Sequence, residues 1–466
     1  MLDLALVLFV LGLIALGLRR PFIWVLAYLY VDIVAPQKIG WTLMPSLKIS
    51  LVTFVLAFGG WLLFDNKHGS RLSVRMGLMF ALLAWCAFTT SFADFPEAAA
   101  EKWSWVWKSM LFALFLPLAL RTKLRLEAAI TVLVLSMSAI VISGGIKTIF
   151  GGGGYGVLVT LTQDNSGIYE GSTLSTAAIA VIPLIWWVAR HTTLLPARHR
   201  LTMLYAAGMT FACLLIPVGT STRTGLLCIA VLGLLLLRTV RHRFLYIGAA
   251  AALGLLSLPF LPNSFQERMG TITSYQADES ASTRVQVWKW TLDFVSDKPL
   301  GGGFDAFLGN SFTYETVEKV DVGGGVVEMQ RQEVTDEGRA FHSAYFEVLG
   351  EQGFVGFGLW ALLHLTGLVG MERLRRRLRK SGDPAMARWA ALANALQQVQ
   401  VVFLFGSLFV GIAYQPFILI VLSMQIALAH AIRSDDARLA EDERKARLAQ
   451  HRARKMPGKA FGGATA

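Results

Sequence analysis

Three short polar stretches in an otherwise apolar chain hold residues able to act on a phosphorylated molecule. They are GTSTRTGLL with Arg223, TRVQVWKWTLDFVSDKPLGGGFDAFL (283–308) with Arg284, and FHSAYFEVLGEQGFVGFG (341–358) with His342. An arginine stays charged at any accessible pH, and its planar fork pairs bidentately with phosphate oxygens. A histidine titrates near neutrality and can take a proton from a hydroxyl. Together they suit transfer of a group from a lipid diphosphate to an acceptor alcohol, with the arginines stabilising the departing diphosphate and the histidine activating the acceptor. Each residue alone has an ordinary reading, as a loop arginine or a satisfied polar group at a helix end.

Such a division of labour requires all three stretches on one side of a membrane. The chain has 466 residues, 55% hydrophobic and 16% charged, and its apolar residues lie in blocks. This composition excludes an ordinary soluble enzyme and implies an all-α polytopic membrane protein. Blocks long enough to span fall near 2–18, 48–64, 74–92, 106–120, 127–146, 172–189, 201–219, 224–238, 243–261, 346–370, 398–413 and 415–432, with a weaker one at 21–34. Twelve or thirteen transmembrane helices are predicted. Arg19 and Arg20 follow the first block instead of preceding it, so residues 2–18 read as a retained helix and not a cleaved signal. Cys86, Cys213 and Cys228 lie inside apolar blocks with no metal-ligand spacing, which points to no metal and no disulfide framework.

Sidedness follows Lys and Arg in short loops. Basic stations at 19–20, 66–75, 121–125, 189–200, 238–243, 371–380 and after Ala431 alternate with weakly basic or acidic loops at 92–102, 151–172, 219–225 and about 262–341. The last of these carries thirteen acids against seven bases. The alternation predicts helices over 1–261, a periplasmic insert with an amphipathic helix over 262–341, further helices over 342–432, and a basic cytoplasmic tail, frayed or unstructured, over 433–466. Arg223, Arg284 and His342 then share the outer face. The basic segments are explained by topology and anionic lipid, with no nucleic acid implied.

On an unbroken helix starting near His342, about 100° per residue brings positions 346, 349, 353 and 356 to the histidine's face. Gly353 and Gly356 would let a neighbouring helix approach closely and fix where His342 points. Glu347 and Glu351 would face the other way. Trp288 and Trp290 suit a membrane interface.

His342-Ser343, followed by Gly353 and Gly356, resembles the H[NSQ]-x9-G-x-x-G signature of the bacterial O-antigen ligase superfamily, which includes O-antigen polymerases and O-linked oligosaccharyltransferases. Arg223-x3-Leu227 is similar to its R-x3-L motif. Arg284 with Trp288, Pro299, Leu300, Gly301 and Phe307 resembles its Arg-led outer helix closed by a P-L-G-x-G turn. The resemblance covers about 170–430. It implies a GT-C-like fold, an undecaprenyl-diphosphate-linked glycan donor, and metal-independent transfer with inversion at the anomeric carbon in the inner membrane. By the same resemblance Arg223 and Arg284 bind diphosphate, His342 is the base, and no cofactor is needed. The acceptor would be a lipid, polysaccharide or protein. RRPFIWVLAYLY and APQKIGW also resemble O-glycosylation ligases found beside exosortase systems; where those tend to carry D-N-N, this chain has Asp164-Asn165-Ser166.

A chain-extending polymerase shares every one of these features, and oligomeric state is not legible. A lipid or solute transporter is the rival of another class. It would place ionisable residues near the midplane in two repeated halves, whereas the distinctive charges here lie at the outer rim. GGGGYG (151–156) and GGGF (301–304) lack the strand-then-helix setting of phosphate loops.

Overall fold

The computed structural model describes residues 2–67, 70–151, 158, 161–162, 166–238, 279–321 and 327–455. Apolar runs become helices because a backbone in hydrocarbon must satisfy its own hydrogen bonds. In order these are α1 (Leu2–Arg19), α2 (Phe22–Val34), α3 (Pro36–Ile39), α4 (Leu43–Ser46), α5 (Ile49–Phe64), α6 (Val74–Thr90), α7 (Pro96–Ala119), α8 (Lys123–Gly151), α9 (Gly171–His191), α10 (Arg200–Gly219), α11 (Arg223–Leu237), α12 (Glu279–Asp297), α13 (Ala344–Lys380), α14 (Pro384–Gly406) and α15 (Pro416–Lys455). Starts are marked by side-chain caps, with Ser73 accepting from the Met76 amide and Asp383 from the Ala385 amide. Stops are marked by backbone: Ala35 at φ 46°, followed by Pro36, ends α2.

Among the described residues six helices are long and apolar enough to cross a membrane: α1, α8, α9, α10, α13 and the Pro416–Ser434 part of α15. The protein is an all-α polytopic membrane protein. Four further apolar helices, α2, α5, α6 and α11, have only 10–17 residues, and at about 1.5 Å per residue they fall short of a hydrocarbon core about 30 Å thick. Of the twelve or thirteen expected spans, six reach full spanning length among the described residues, and the block at 243–261 lies outside the described residues. The expected span at 398–413 is also displaced. Its helix, α14, ends at Gly406, and Ser407–Gln415 forms a turn. The tail expected to fray continues α15 as helix to Lys455.

α9 is the central post, with 89% of its apolar window buried, against 11% for α1 at the periphery. It packs on α8, α10, α11 and α14, while α13 packs on α6, α12 and α14, and α15 on α7. Cys86, Cys213 and Cys228 are buried in this core as free thiols.

Loop contacts sort the helix ends into two groups. At one end Asp94 N donates to Gly302 O (2.8 Å), Ala344 N to Ser407 O (2.8 Å), and Lys102 pairs with Asp305 (3.2 Å). At the other, Arg121 pairs with Asp65 (3.1 Å), Arg238 with Glu372 (3.3 Å), and Arg388 with Glu127. The insert holds an element not expected from sequence, an antiparallel hairpin of β1 (Ser311–Asp321) and β2 (Val327–Glu337), registered from Ser311 opposite Glu337 to Asp321 opposite Val327. Asn310 closes its base: its side chain donates to Arg339 O (2.7 Å) and accepts from Arg339 N (2.9 Å). That clamp delivers the chain to Phe341 and His342.

Candidate active site

His342 lies two residues before α13, not on it. Its backbone takes φ 48°, left-handed for a residue with a Cβ. This reverses the chain between Arg339 and the helix, so the imidazole projects from a turn and remains exposed. The turn is held on both sides. Phe341 is buried, and its ring occupies the space a Cβ on Gly350 would need, 2.6 Å from the ring edge. Ser343 is buried, and Ala344 N is anchored to Ser407 O at 2.8 Å.

α12 joins an arginine to this histidine. Arg284 and Trp288 are four residues apart, so they share a face. Trp288 Nε1 donates to Phe341 O at 3.0 Å, and its ring stacks on Phe346 at 4.9 Å. Trp288 is therefore a strut between α12 and the histidine turn and not the interface anchor expected from sequence. The imidazole is pushed below its ordinary pKa, first by loss of surrounding water and then by the Arg284 and Arg339 charges, with Glu170 pulling upward. A neutral imidazole with a cation beside it can accept a proton next to a bound anion.

Arg223 opens α11 after a turn in which Ser221 has φ 50°. Three hydroxyls brace that turn: Ser175, Thr220 and Thr222 lie 2.8–2.9 Å from one another. Beside it, Glu170 caps α9 by accepting from Ser172 N (3.0 Å) and Thr173 N (2.7 Å), and Gly171 faces Thr220. Glu170–Gly171 thus lies beside the Arg223 turn, and the Glu170 charge acts on His342. Leu227 is 42% exposed. Asp164 and Asn165 lie outside the described residues.

The helix phase expected for α13 fails at Gly353, where φ 62° and ψ −166° break the helix. The break leaves carbonyls free for other partners: Gly350 O accepts from Gly302 N (3.0 Å), Glu351 O from Gly303 N (2.9 Å), and Pro299 O accepts from Phe354 N (3.0 Å). A Cβ on Gly353 would lie 2.2 Å from Pro299 O. Gly353 therefore meets the Pro-Leu-Gly-Gly-Gly turn, not a neighbouring helix. Gly356 does face a helix, against Trp85 of α6 at 3.0 Å, and Trp85 Nε1 donates to Gln352 O at 2.8 Å.

Glu347 and Glu351, expected to point away, are buried. Lys102 of α7 donates to Glu351 (2.6 Å), Glu347 (2.9 Å) and Asp305 (3.2 Å). Glu347 also accepts from Ala413 N (3.0 Å) and Glu351 from Asp305 N (3.0 Å). Sequence reasoning missed this cluster, although two acids inside an apolar run were the signal available for it. Gly350 was missed as well.

Residues 207–361 match the family model described as O-antigen ligase. Over this stretch the chain is similar to the O-antigen ligase and polymerase superfamily. The O-antigen ligase region contains Arg223, Arg284, His342, Gly353 and Gly356, whereas Lys102, Trp85 and Glu170 come from residues 1–193, which match a family of unknown function (DUF5935). No curated protein matches the chain. The candidate site thus draws on two sequence families in one chain, the first packing against the histidine turn and kink of the second.

Proposed function

We propose that this protein is an inner-membrane glycosyltransferase that moves a glycan from undecaprenyl diphosphate to an acceptor hydroxyl at the periplasmic face. One observation carries the reading: within an O-antigen ligase region, an exposed histidine of lowered pKa stands under the field of Arg284. His342 takes the proton from the acceptor hydroxyl as that oxygen attacks the anomeric carbon. The bond from that carbon to the diphosphate oxygen breaks, with inversion, and the diphosphate leaves with the electron pair. Arg223 and Arg284 hold its oxygens, doing by bidentate hydrogen bonding what a metal ion does in other phosphate sites. Gly353 and Gly356 keep α13 in place beneath the histidine.

The test is an assay with purified protein, lipid-diphosphate glycan and acceptor, reading transfer and donor binding separately. His342→Ala should lose transfer by roughly 10²- to 10⁴-fold while still binding donor, and chelator should change nothing. Transfer at the parental rate by His342→Ala would remove the base assignment.

A further inference from the structure

A cavity of about 410 Å³ lies among α2, α7, the Ser166–Tyr169 segment and the start of α15, at the same end of the molecule as His342. Most of its wall comes from the region of unknown function, and the APQKIGW stretch contributes Gln37 and Lys38. Two of its acceptors are left over by the protein. Asp32 Oδ1 accepts from Ser109 Oγ (3.2 Å) and Tyr28 OH (3.4 Å), but Asp32 Oδ2 and Gln37 Oε1 are buried with no hydrogen-bond partner. A buried acceptor without a donor has lost its water and gained nothing in return, so a ligand bringing hydroxyl donors would recover that loss here. Trp105 adds an aromatic face to the wall, and Lys108 and Gln415 add donors.

From this wall we infer that the cavity seats the acceptor saccharide, an inference that rests on the transferase reading above. Closely set acceptors, donors and an indole match a polyol, whose hydroxyls both give and take hydrogen bonds. A diphosphate brings no hydrogen-bond donor for Asp32 Oδ2 and Gln37 Oε1, whereas sugar hydroxyls do, so the donor's charged end belongs with the arginines. The cavity also adjoins the site. Tyr169 lines it, and the next residue, Glu170, acts on the His342 imidazole. Trp105 and Gln415 are shared with a smaller cavity of about 250 Å³ over Lys102, Asp305 and Glu347.

The experiment uses the full chain reconstituted in lipid, its lipid-diphosphate glycan at saturating concentration, and a titration of the undecorated acceptor fraction prepared from a deletion strain. Asp32→Asn and, separately, Gln37→Ala should raise the acceptor KM by roughly 10- to 100-fold, the effect of one lost charged or buried hydrogen bond. The donor KM should stay at the parental value, and kcat should be recovered at high acceptor. Gln37→Ala keeps the test decisive if Asp32→Asn fails to fold. Unchanged acceptor KM in both variants, or a rise in donor KM instead, overturns the assignment while leaving the transferase intact. Absence of transfer by the parental protein removes both.

Discussion

Lys102 and Glu351, 249 residues apart in the chain, meet at 2.6 Å beneath the histidine turn, with the Glu351 side chain wholly buried. Glu347 and Asp305 complete a group of three carboxylates around one ammonium. Loss of the cation would leave two buried acids and a partly buried third uncompensated, whereas loss of one acid reduces their mutual repulsion. Lys102→Met should therefore destabilise the protein by about 3–5 kcal/mol, and Glu347→Gln by clearly less. Thermal melting of the purified variants in detergent measures both; equal losses would refute this account of the cluster.

Gly353 holds a backbone conformation that is essentially glycine's alone, worth about 1–3 kcal/mol to any other residue. A Cβ there would also strike Pro299 O. Gly353→Ala should lower the melting temperature and reduce transfer together. Gly301→Ala, whose Cβ would lie 2.5 Å from Glu351 O, should reproduce both effects. A variant of either kind with parental melting and transfer would show the contact to be dispensable.

Local signals were legible and distant ones were not. The apolar blocks, the short Arg223 loop and the Arg284 helix closed by Pro299–Gly303 follow from composition and turn chemistry, which act over a few residues. The His342 position was misplaced because a 100° stripe assumes an unbroken helix, and Gly353 breaks it by bonding to a loop some fifty residues earlier, between Pro299 and Phe354. Lys102 read as a loop charge because its partners lie more than two hundred residues away. The Ser311–Glu337 hairpin was hidden among the acids that made the insert look merely polar.

Only a neutral imidazole can accept a proton, so transfer should fall as pH drops through the lowered His342 pKa, giving an acid limb below the ordinary histidine value of 6.5. Arg339→Gln removes a cation that holds the pKa down, and the limb should move to higher pH. Glu170→Gln removes an anion that holds it up, and the limb should move to lower pH. Profiles of kcat/KM against pH read both shifts. Displacement of both in one direction would dissociate the limb from His342.

The two arginines should respond differently to conservative change. Arg284→Lys keeps a point charge and loses the bidentate fork, so donor binding should weaken but persist. Arg223→Ala and Arg284→Ala should nearly abolish transfer. Binding of labelled lipid-diphosphate glycan distinguishes the cases, and parental donor affinity in Arg284→Ala would move the diphosphate elsewhere.

Orientation has its own test. Alkaline phosphatase fused within 305–335 should be active, and fused after Arg433 inactive. The reverse pattern would place His342 on the face opposite to the proposed donor.

Bilayers differ in thickness, and spanning helices tilt to match them. In α13 the stretch before Gly353 is fastened to chain outside the long apolar segment, through Ala344 to Ser407 and through Gly350 and Glu351 to Gly302 and Gly303. Phe354, beyond the non-helical Gly353, is tied to the same Pro299–Gly303 turn through Pro299 O, so the break is a pinned bend between that stretch and the remainder of the helix, which runs on to Lys380. A tilt of the long segment would therefore carry with it the turn that closes the Arg284 helix, so the two candidate site elements would move together.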